Sequence, residues 1–457
     1  MDATIAAIST AMSASGIGIV RISGENAMDV IAKIYRSKNG KKDIRTVVSH
    51  TIHYGFIYDG EDVVDEVLVM IMRGPHTYTG EDTVEIDCHG GVYAMKRVLE
   101  TVLKNGAVIA EPGEFTKRAF LNGRLDLSQA EAVMDVIQAK NEYALKSSLS
   151  QLKGSVLTSI KEIRSSILYH IAYIESALDD PEHISLDGYP QELLEVVDNE
   201  QKEVKRLLKT SSDGKMIQEG IQTVILGKPN AGKSSLLNLL IGENRAIVTD
   251  IAGTTRDILE EYITLHGISL KIIDTAGIRE TKDIVEKIGV DRAREMAQKA
   301  DLILYVVDSS VPLDENDEEI MEMLTGKKAI ILYNKTDLQP EIQPEILKEK
   351  TGHPVIPISA KEEKGITELE EQIKDMFFGG EISFNDEVYI TNARHKAALE
   401  EADRSLDLVR NSIEMGMPED FFSIDLMNAY ENLGKILGES VGEDLVNEIF
   451  SKFCMGK

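Results

Sequence analysis

Residues 227–234 read GKPNAGKS and have the residue types to bind phosphate groups. In the pattern G-x-x-x-x-G-K-S the glycines let backbone N–H groups turn toward phosphate oxygens. Lys233 would contact the β- and γ-phosphates of a nucleotide, and the Ser234 hydroxyl would bind Mg²⁺. A β-branched run at 222–226 precedes this P-loop and a helical pattern at 235–241 follows it, as the motif requires. The alternative, a purely structural glycine turn, leaves the Lys-Ser pair unexplained.

Three further segments stand in the order that a GTPase needs. DTAG at 274–277 would place a carboxylate beside Mg²⁺ and a glycine N–H near the γ-phosphate. NKTD at 334–337 would recognise guanine, because Asp337 can accept hydrogen bonds from N1–H and the 2-amino group, a pattern that adenine lacks. SAK at 359–361 would support the base through its backbone. Each motif is weak alone, but together they predict GTP rather than ATP.

The segment between the P-loop and DTAG, TDIAGTTRD at 249–257, has the hydroxyls and free carbonyls of a flexible switch. Thr255 is the candidate for a second Mg²⁺ hydroxyl. Arg256 is either an arginine finger or part of a structural ion pair. Ile278 stands where small signalling GTPases have a glutamine that orients water. An apolar side chain cannot orient water, so another residue must take that role.

These motifs need an α/β module to position them. Residues 219–379 alternate β-rich runs with helical patterns, which predicts a parallel sheet covered by helices. Residues 1–118 are typical of a mixed α+β domain, and residues 119–218 and 380–457 form helical patterns that the α/β module interrupts. The predicted fold class is multidomain: an α+β N-terminal domain, an all-α helical domain and an inserted P-loop α/β (Ras-like) G domain. Strands are predicted at 18–22, 63–72, 83–87, 222–226, 270–274, 302–308, 329–334 and 355–359.

Composition excludes several classes of protein. A length of 457 residues allows two to four domains. Two cysteines, Cys88 and Cys454, cannot form a disulfide framework or a four-ligand zinc site, and they favour a reducing cytoplasm. No stretch of about 18 apolar residues is present, so no membrane span is expected.

The charge is strongly acidic and unevenly distributed. The net charge of −28 argues against a protein that coats nucleic acid. Residues 1–118 carry −3, residues 219–379 carry −11, and the two helical parts together carry −14. The first 118 residues are therefore nearly neutral.

Short motifs also occur outside the α/β module. They are GIVRISG at 18–24, YTGED at 78–82, HGG at 89–91, PGEF at 112–115, RAFLN at 118–122, LDL at 125–127 and FCMGK at 453–457. With these motifs the chain resembles the tRNA modification GTPase MnmE (TrmE) family over essentially its full length. Two positions depart from the family pattern: Arg124 stands where Lys is common, and Met455 where Ile is usual.

The resemblance implies a function for each domain. Residues 1–118 would bind a tetrahydrofolate, in the 5-formyl or 5,10-methylene form, and mediate homodimerisation. The family works with a flavoprotein, MnmG, in a heterotetramer that modifies C5 of the wobble uridine (position 34) of certain tRNAs with aminomethyl-type groups. The folate would supply the one-carbon unit. K⁺-dependent dimerisation of the G domains would activate GTP hydrolysis, which drives conformational change.

The resemblance also implies roles for individual residues. Side-chain oxygens of Asn230 and Thr254, with the backbone carbonyls of Thr249 and Ile251, would bind K⁺. Glu286 would orient the attacking water and act with Lys233 in catalysis, although a solvated helix carboxylate is the plain alternative for Glu286. The GTP-binding residues are then Asn230, Ala231, Gly232, Lys233, Ser234, Ser235, Thr249, Thr254, Thr255, Asp274, Thr275, Ala276, Gly277, Asn334, Lys335, Asp337, Ser359, Ala360 and Lys361.

The folate positions of the family fall on Arg21, Glu85, Arg124 and Lys457. A carboxylate such as Glu85 can accept hydrogen bonds from a pterin ring, and either arginine suits the glutamate tail. Cys454 is a candidate one-carbon site or a thiol that only packs.

Two other functions compete with this interpretation. A ribosome-assembly GTPase would carry a KH-like GXXG segment or a tandem G domain, and the sequence has neither. A folate-binding scaffold with a vestigial G domain conflicts with the intact nucleotide motifs.

Overall fold

The computed structural model describes residues 3–38, 43–242, 261–265, 268–273, 286–378 and 388–456. The chain folds into two compact units. One unit comprises residues 1–137, 150–200 and 401–457, and the other comprises 138–149 and 201–400. Among the described helices, none has the length and apolar character that a membrane span requires.

A seven-stranded sheet occupies the N-terminal part of the first unit, in the order β3-β4-β5-β6-β2-β1-β7. Neighbouring strands are antiparallel, except that β1 and β7 are parallel. Helices α1 (Ala27–Ile34) and α2 (Val92–Lys104) pack against one face, where Val20 and Ile86 belong to the core. The strands are β1 (Ile5–Ile8), β2 (Ile17–Ser23), β3 (Tyr35–Ser37), β4 (Thr51–Asp59), β5 (Asp62–Met72), β6 (Thr83–His89) and β7 (Val108–Ile109).

Long helices form the all-α part of the chain. Arg164 of α6 forms an ion pair of 2.6 Å with Glu439 and lies over the ring of Tyr430 in α14, which joins these two helices. Helix α6 ends before Pro181, since proline disfavours helical geometry in the residue that precedes it. The helices are α3 (Glu114–Leu121), α4 (Leu127–Gln138), α5 (Glu142–Leu152), α6 (Ser155–Asp179), α7 (Tyr189–Glu219), α13 (Ala393–Glu414), α14 (Glu419–Leu437) and α15 (Glu443–Ser451).

The second unit contains a six-stranded sheet in the order β13-β12-β11-β8-β10-β9. All neighbouring pairs are parallel except β9 and β10. Its strands are β8 (Ile221–Leu226), β9 (Glu261–Leu265), β10 (Ile268–Ile272), β11 (Leu302–Asp308), β12 (Ala329–Asn334) and β13 (Val355–Pro357). Its helices are α8 (Lys233–Ile241), α9 (Glu286–Lys299), α10 (Glu315–Met323), α11 (Pro344–Thr351) and α12 (Ile366–Phe378).

Helices cover both faces of this sheet. Leu304 faces a core that includes residues of α8 and α12, and its neighbour Tyr305 faces a second core with Leu347 of α11. Every residue of β11 and β12 is therefore buried. The carboxyl ends of the parallel strands meet at one edge, where ligands bind in open α/β sheets.

This architecture confirms the predicted fold class, with some differences in detail. Strands β1, β3, β4, β7 and β9 are not among the predicted runs. Helix α8 begins two residues before its predicted start. The predicted strand 355–359 ends at Pro357, because Ser359 pairs with Lys364 across a turn. Helix α3 runs through residue 118, and the predicted domain boundaries remain predictions.

Candidate nucleotide-binding site

The P-loop between β8 and α8 takes its shape from residues with positive φ. Asn230 (φ 60°) and Gly232 (φ 103°) both lie in the left-handed region. A Cβ atom at Gly232 would lie 2.1 Å from Nδ2 of Asn334, so glycine is needed for this close approach. Asn334 donates a hydrogen bond of 2.9 Å from Nδ2 to the carbonyl of Ala231. The fold thus brings the P-loop and the NKTD segment into direct contact.

Lys233 is the first residue of α8, and its ammonium group points back into the loop. It donates hydrogen bonds to the carbonyl oxygens of Gly227 (2.6 Å) and Lys228 (2.7 Å). Burial lowers the pKa of Lys233, because removal from water disfavours the charged form of the ammonium group. Gly232, at the N-cap, has no side chain to cap the helix, so the N–H groups of the first turn can bind an anion. A polyphosphate would satisfy both the lysine and the helix terminus.

The NKTD and SAK segments are joined by hydrogen bonds at the same edge of the sheet. Asn334 accepts a hydrogen bond from the N–H of Ala360 (3.2 Å), and Thr336 donates to the carbonyl of Ile358 (3.0 Å). Asp337 accepts a hydrogen bond of 3.0 Å from the hydroxyl of Ser359. Its side chain is mostly buried, at 11% exposed, and its second carboxylate oxygen lies 3.9 Å from Nζ of Lys361.

Several residues that the sequence did not single out belong to the same arrangement. Lys228 of the P-loop forms ion pairs with Asp317 (2.6 Å) and Asp314 (3.0 Å), which flank the start of α10. Asp308, at the end of β11, forms an ion pair with Lys335. A carboxylate that ends a wholly buried parallel strand is the sequence signal that could have revealed Asp308.

Thr249, Ile251, Thr254, Thr255 and residues 274–277 lie outside the described residues, as do Arg256 and Ile278. Glu286 is the first residue of α9. The proposed metal and catalytic roles of these residues remain predictions.

A second cluster lies on the seven-stranded sheet, on the face opposite α1 and α2. Arg21 of β2 and Glu85 of β6 are directly opposite in register and form an ion pair of 2.7 Å. The Arg21 guanidinium also lies 5.4 Å from the ring centre of Tyr78 and 5.6 Å from that of Phe115. Arg124 lies 4.9 Å from the same tyrosine ring and donates a hydrogen bond to the Tyr78 carbonyl. Three of the four predicted folate residues are thus neighbours, with Tyr78 between the two arginines.

The C-terminal segment reaches this cluster. The carbonyl of Gly456 accepts hydrogen bonds from Arg21 (3.3 Å) and from the hydroxyl of Ser9 (3.1 Å). Lys457 lies outside the described residues. Cys454 is exposed, whereas burial raises the pKa of Cys88 to about 11 and keeps its thiol protonated.

Comparison with known proteins identifies the family. Residues 127–454 match the family model described as "MnmE helical domain", and residues 4–124 match the one described as "GTP-binding protein TrmE N-terminus". The chain belongs to the MnmE family. The resemblance predicted from the motifs is therefore confirmed.

Curated MnmE relatives match along their full length. The protein named "tRNA modification GTPase MnmE" of Lachnoclostridium phytofermentans is 61% identical over 99% of each chain. The protein of the same name from Geobacillus thermodenitrificans is 50% identical, also over 99% of each chain. Among solved structures, the G domain of the T. maritima FeoB iron transporter is 27% identical, with a TM-score of 0.27, and covers 34% of this chain and 98% of that one.

Proposed function

We propose that this chain is a GTP hydrolase that acts in tRNA modification. The observation that carries the proposal is the contact between the P-loop and NKTD segments, with Asp337 held by Ser359 beside them. Membership of the MnmE family supports the tRNA part, because full-length relatives carry the name tRNA modification GTPase.

Different residues of the described site are assigned to different parts of GTP. Lys233 and the N-terminus of α8 bind the phosphates, and Asp337 accepts hydrogen bonds from guanine. Ser234 is exposed in the first turn of α8, and its hydroxyl would bind Mg²⁺, with Thr255 as the other predicted hydroxyl ligand. Asn230 is also exposed and has a side-chain oxygen that fits K⁺, with Thr249, Ile251 and Thr254 as the other predicted ligands.

The substrate of the modification is proposed to be C5 of the wobble uridine (position 34) of certain tRNAs, which receives an aminomethyl-type group. A 5-formyl- or 5,10-methylene-tetrahydrofolate would bind at Arg21, Glu85, Arg124 and Lys457. The arginines beside Tyr78 suit this ligand, because guanidinium groups pair with carboxylates and stack on flat rings. Cys454 remains a candidate one-carbon site.

The proposed assembly is a cytoplasmic homodimer that forms a heterotetramer with the flavoprotein MnmG. The net charge of −28 disfavours tight binding of tRNA by this chain alone. Much of the RNA affinity is therefore assigned to the flavoprotein partner.

Hydrolysis is expected to depend on the monovalent cation. A potassium ion at Asn230 would neutralise charge that develops between the β- and γ-phosphates, the role otherwise given to an arginine finger. Replacing NaCl by KCl at equal ionic strength should raise the rate of GTP hydrolysis about tenfold or more, while ATP hydrolysis stays negligible. Phosphate release from both nucleotides in both salts gives the measurement. Equal GTP rates in the two salts would refute the potassium site, and comparable hydrolysis of ATP would refute the GTPase assignment.

Glu286→Ala is expected to slow hydrolysis by about 100-fold with little change in the Kd for GTP, since a residue that orients water acts on the chemical step. Single-turnover hydrolysis and equilibrium binding separate the two quantities. Glu295→Ala is the matched control, because Glu295 lies on the same helix and pairs with Lys299. A large loss of GTP affinity in Glu286→Ala would indicate a structural role instead.

A further inference from the structure

We propose that Asp308 is a positioning residue for guanine recognition, because it holds the ammonium group of Lys335 away from Asp337. The inference rests on the proposed binding of GTP. It explains how the carboxylate of Asp337 stays free of a competing cation, so that it can accept hydrogen bonds from guanine. Asp337 can accept hydrogen bonds from guanine only if no neighbouring cation occupies its oxygens.

The geometry follows from the register of two parallel strands. Asp308 ends β11 and is opposite Asn334, which ends β12. Lys335 comes next and has φ of 65°, in the left-handed region that a lysine adopts uncommonly. Its Nζ atom donates to Oδ2 of Asp308, so the side chain runs toward β11. The two residues are 27 positions apart in the sequence, and only the fold makes them partners.

The carboxylate of Asp308 is itself fixed. Its Oδ1 atom accepts hydrogen bonds from the backbone N–H (3.0 Å) and the hydroxyl (2.7 Å) of Ser310. Burial alone would raise the pKa of Asp308, but Lys335 and Ser310 lower it below its ordinary value. Asp308 is thus ionised at neutral pH and presents one oxygen to Lys335.

Ser309, which lies between Asp308 and Ser310, fixes the backbone of the NKTD segment. The N–H of Ser309 donates to the carbonyl of Asn334 (3.0 Å), and its hydroxyl donates to the carbonyl of Lys335 (3.2 Å). Residues 308–310 therefore fix both the backbone and the side chain of Lys335. The NKTD segment is held on this side by that turn and on the other side by Ser359 and Ala360.

The competing arrangement is a local ion pair within NKTD. Lys335 and Asp337 are two residues apart, and an ammonium group on Asp337 would cover the oxygens that accept from N1–H and the 2-amino group. Lys361 lies 3.9 Å from Asp337, but its side chain is 82% exposed, so water screens this pair strongly. Lys335 is the less exposed cation, at 31%, and its pairing with Asp308 removes the stronger competitor.

The test measures base selectivity with GDP, IDP and ADP. IDP lacks the 2-amino group, so the ratio of IDP to GDP dissociation constants reports whether Asp337 accepts from that group. Asp308→Asn keeps an oxygen acceptor for Ser310 and removes the charge. We expect it to weaken GDP binding about tenfold and to lower the IDP/GDP ratio about fivefold, because Lys335 then turns to Asp337. Adding Lys335→Met to Asp308→Asn should restore the ratio, since the competing cation is gone.

The matched control is Asp301→Asn. Asp301 lies at the amino end of β11, where its carboxylate accepts from the N–H of Gln222, and this variant should keep the wild-type ratio. An unchanged ratio in Asp308→Asn would overturn the inference, as would failure of Lys335→Met to restore it. If Asp308→Asn does not fold, Ser310→Ala should lower the ratio about twofold, and no change there would equally overturn it. Equal affinity of the unaltered chain for GDP and ADP would instead refute the proposed GTP site itself.

Discussion

Asp337→Asn is expected to lower the affinity for GTP by about 10³-fold or more and to create binding of XTP. The carboxylate accepts from both N1–H and the 2-amino group of guanine, whereas an amide can accept only one of these and turns its NH₂ toward the other donor. A buried donor left without an acceptor strongly penalises the wrong base. Xanthine has a carbonyl in place of the 2-amino group and can accept from that NH₂.

The measurement is competitive binding and hydrolysis of GTP, XTP and ATP by the unaltered chain and the variant. Asp301→Asn serves again as the control, since its carboxylate lies at the opposite end of the sheet. If the variant loses both its affinity for GTP and its thermal stability, and acquires no affinity for XTP, then Asp337 serves mainly to hold Ser359.

Lys233→Ala is expected to reduce GTP hydrolysis by about 10³-fold. The ammonium group of Lys233 is partly buried at the start of α8, and its contacts are with carbonyl oxygens of the P-loop. Its charge is therefore available to the phosphates, where a single preorganised donor contributes about 10²–10³-fold to the rate and a charged one lies at the upper end.

Lys228→Ala provides a comparison within the same loop. Lys228 is neutralised by Asp317 and Asp314, and Asp317 also accepts a hydrogen bond of 2.6 Å from the hydroxyl of Tyr305. Removing Lys228 leaves buried Asp317 without its cation, so thermal stability should fall more than in Lys233→Ala. The rate of hydrolysis should fall tenfold or less. Equal catalytic losses in the two variants would contradict the distinct roles assigned to these lysines.

The sequence predicts those parts of the fold whose signal is local. Strands β11 and β12 have the predicted bounds, because their continuous apolar runs end in the polar residues Asp308 and Asn334. In contrast, β7 consists of two residues, Val108 and Ile109, and exists only because β1 provides a partner about 100 residues away.

In the candidate sites, too, the features with a local sequence signal are predicted and the long-range contacts are not. The motifs locate the P-loop, NKTD and SAK segments, and the family resemblance points to Arg21, Glu85 and Arg124. Neither predicts the Asp308–Lys335 pair, because it depends on the register between β11 and β12. Nor do they predict that Tyr78 lies between two arginines, which requires the loop after β5 to meet the segment after α3.

The central proposal is that GTP turnover by this chain is needed for tRNA modification. Nucleoside analysis of total tRNA from cells that lack the chain tests it most directly, with the unaltered gene and the Lys233→Ala variant returned to the same cells. We predict that a uridine modified at C5 disappears from the tRNA, returns with the unaltered chain and does not return with Lys233→Ala. An unchanged set of modified nucleosides in cells without the chain would contradict it.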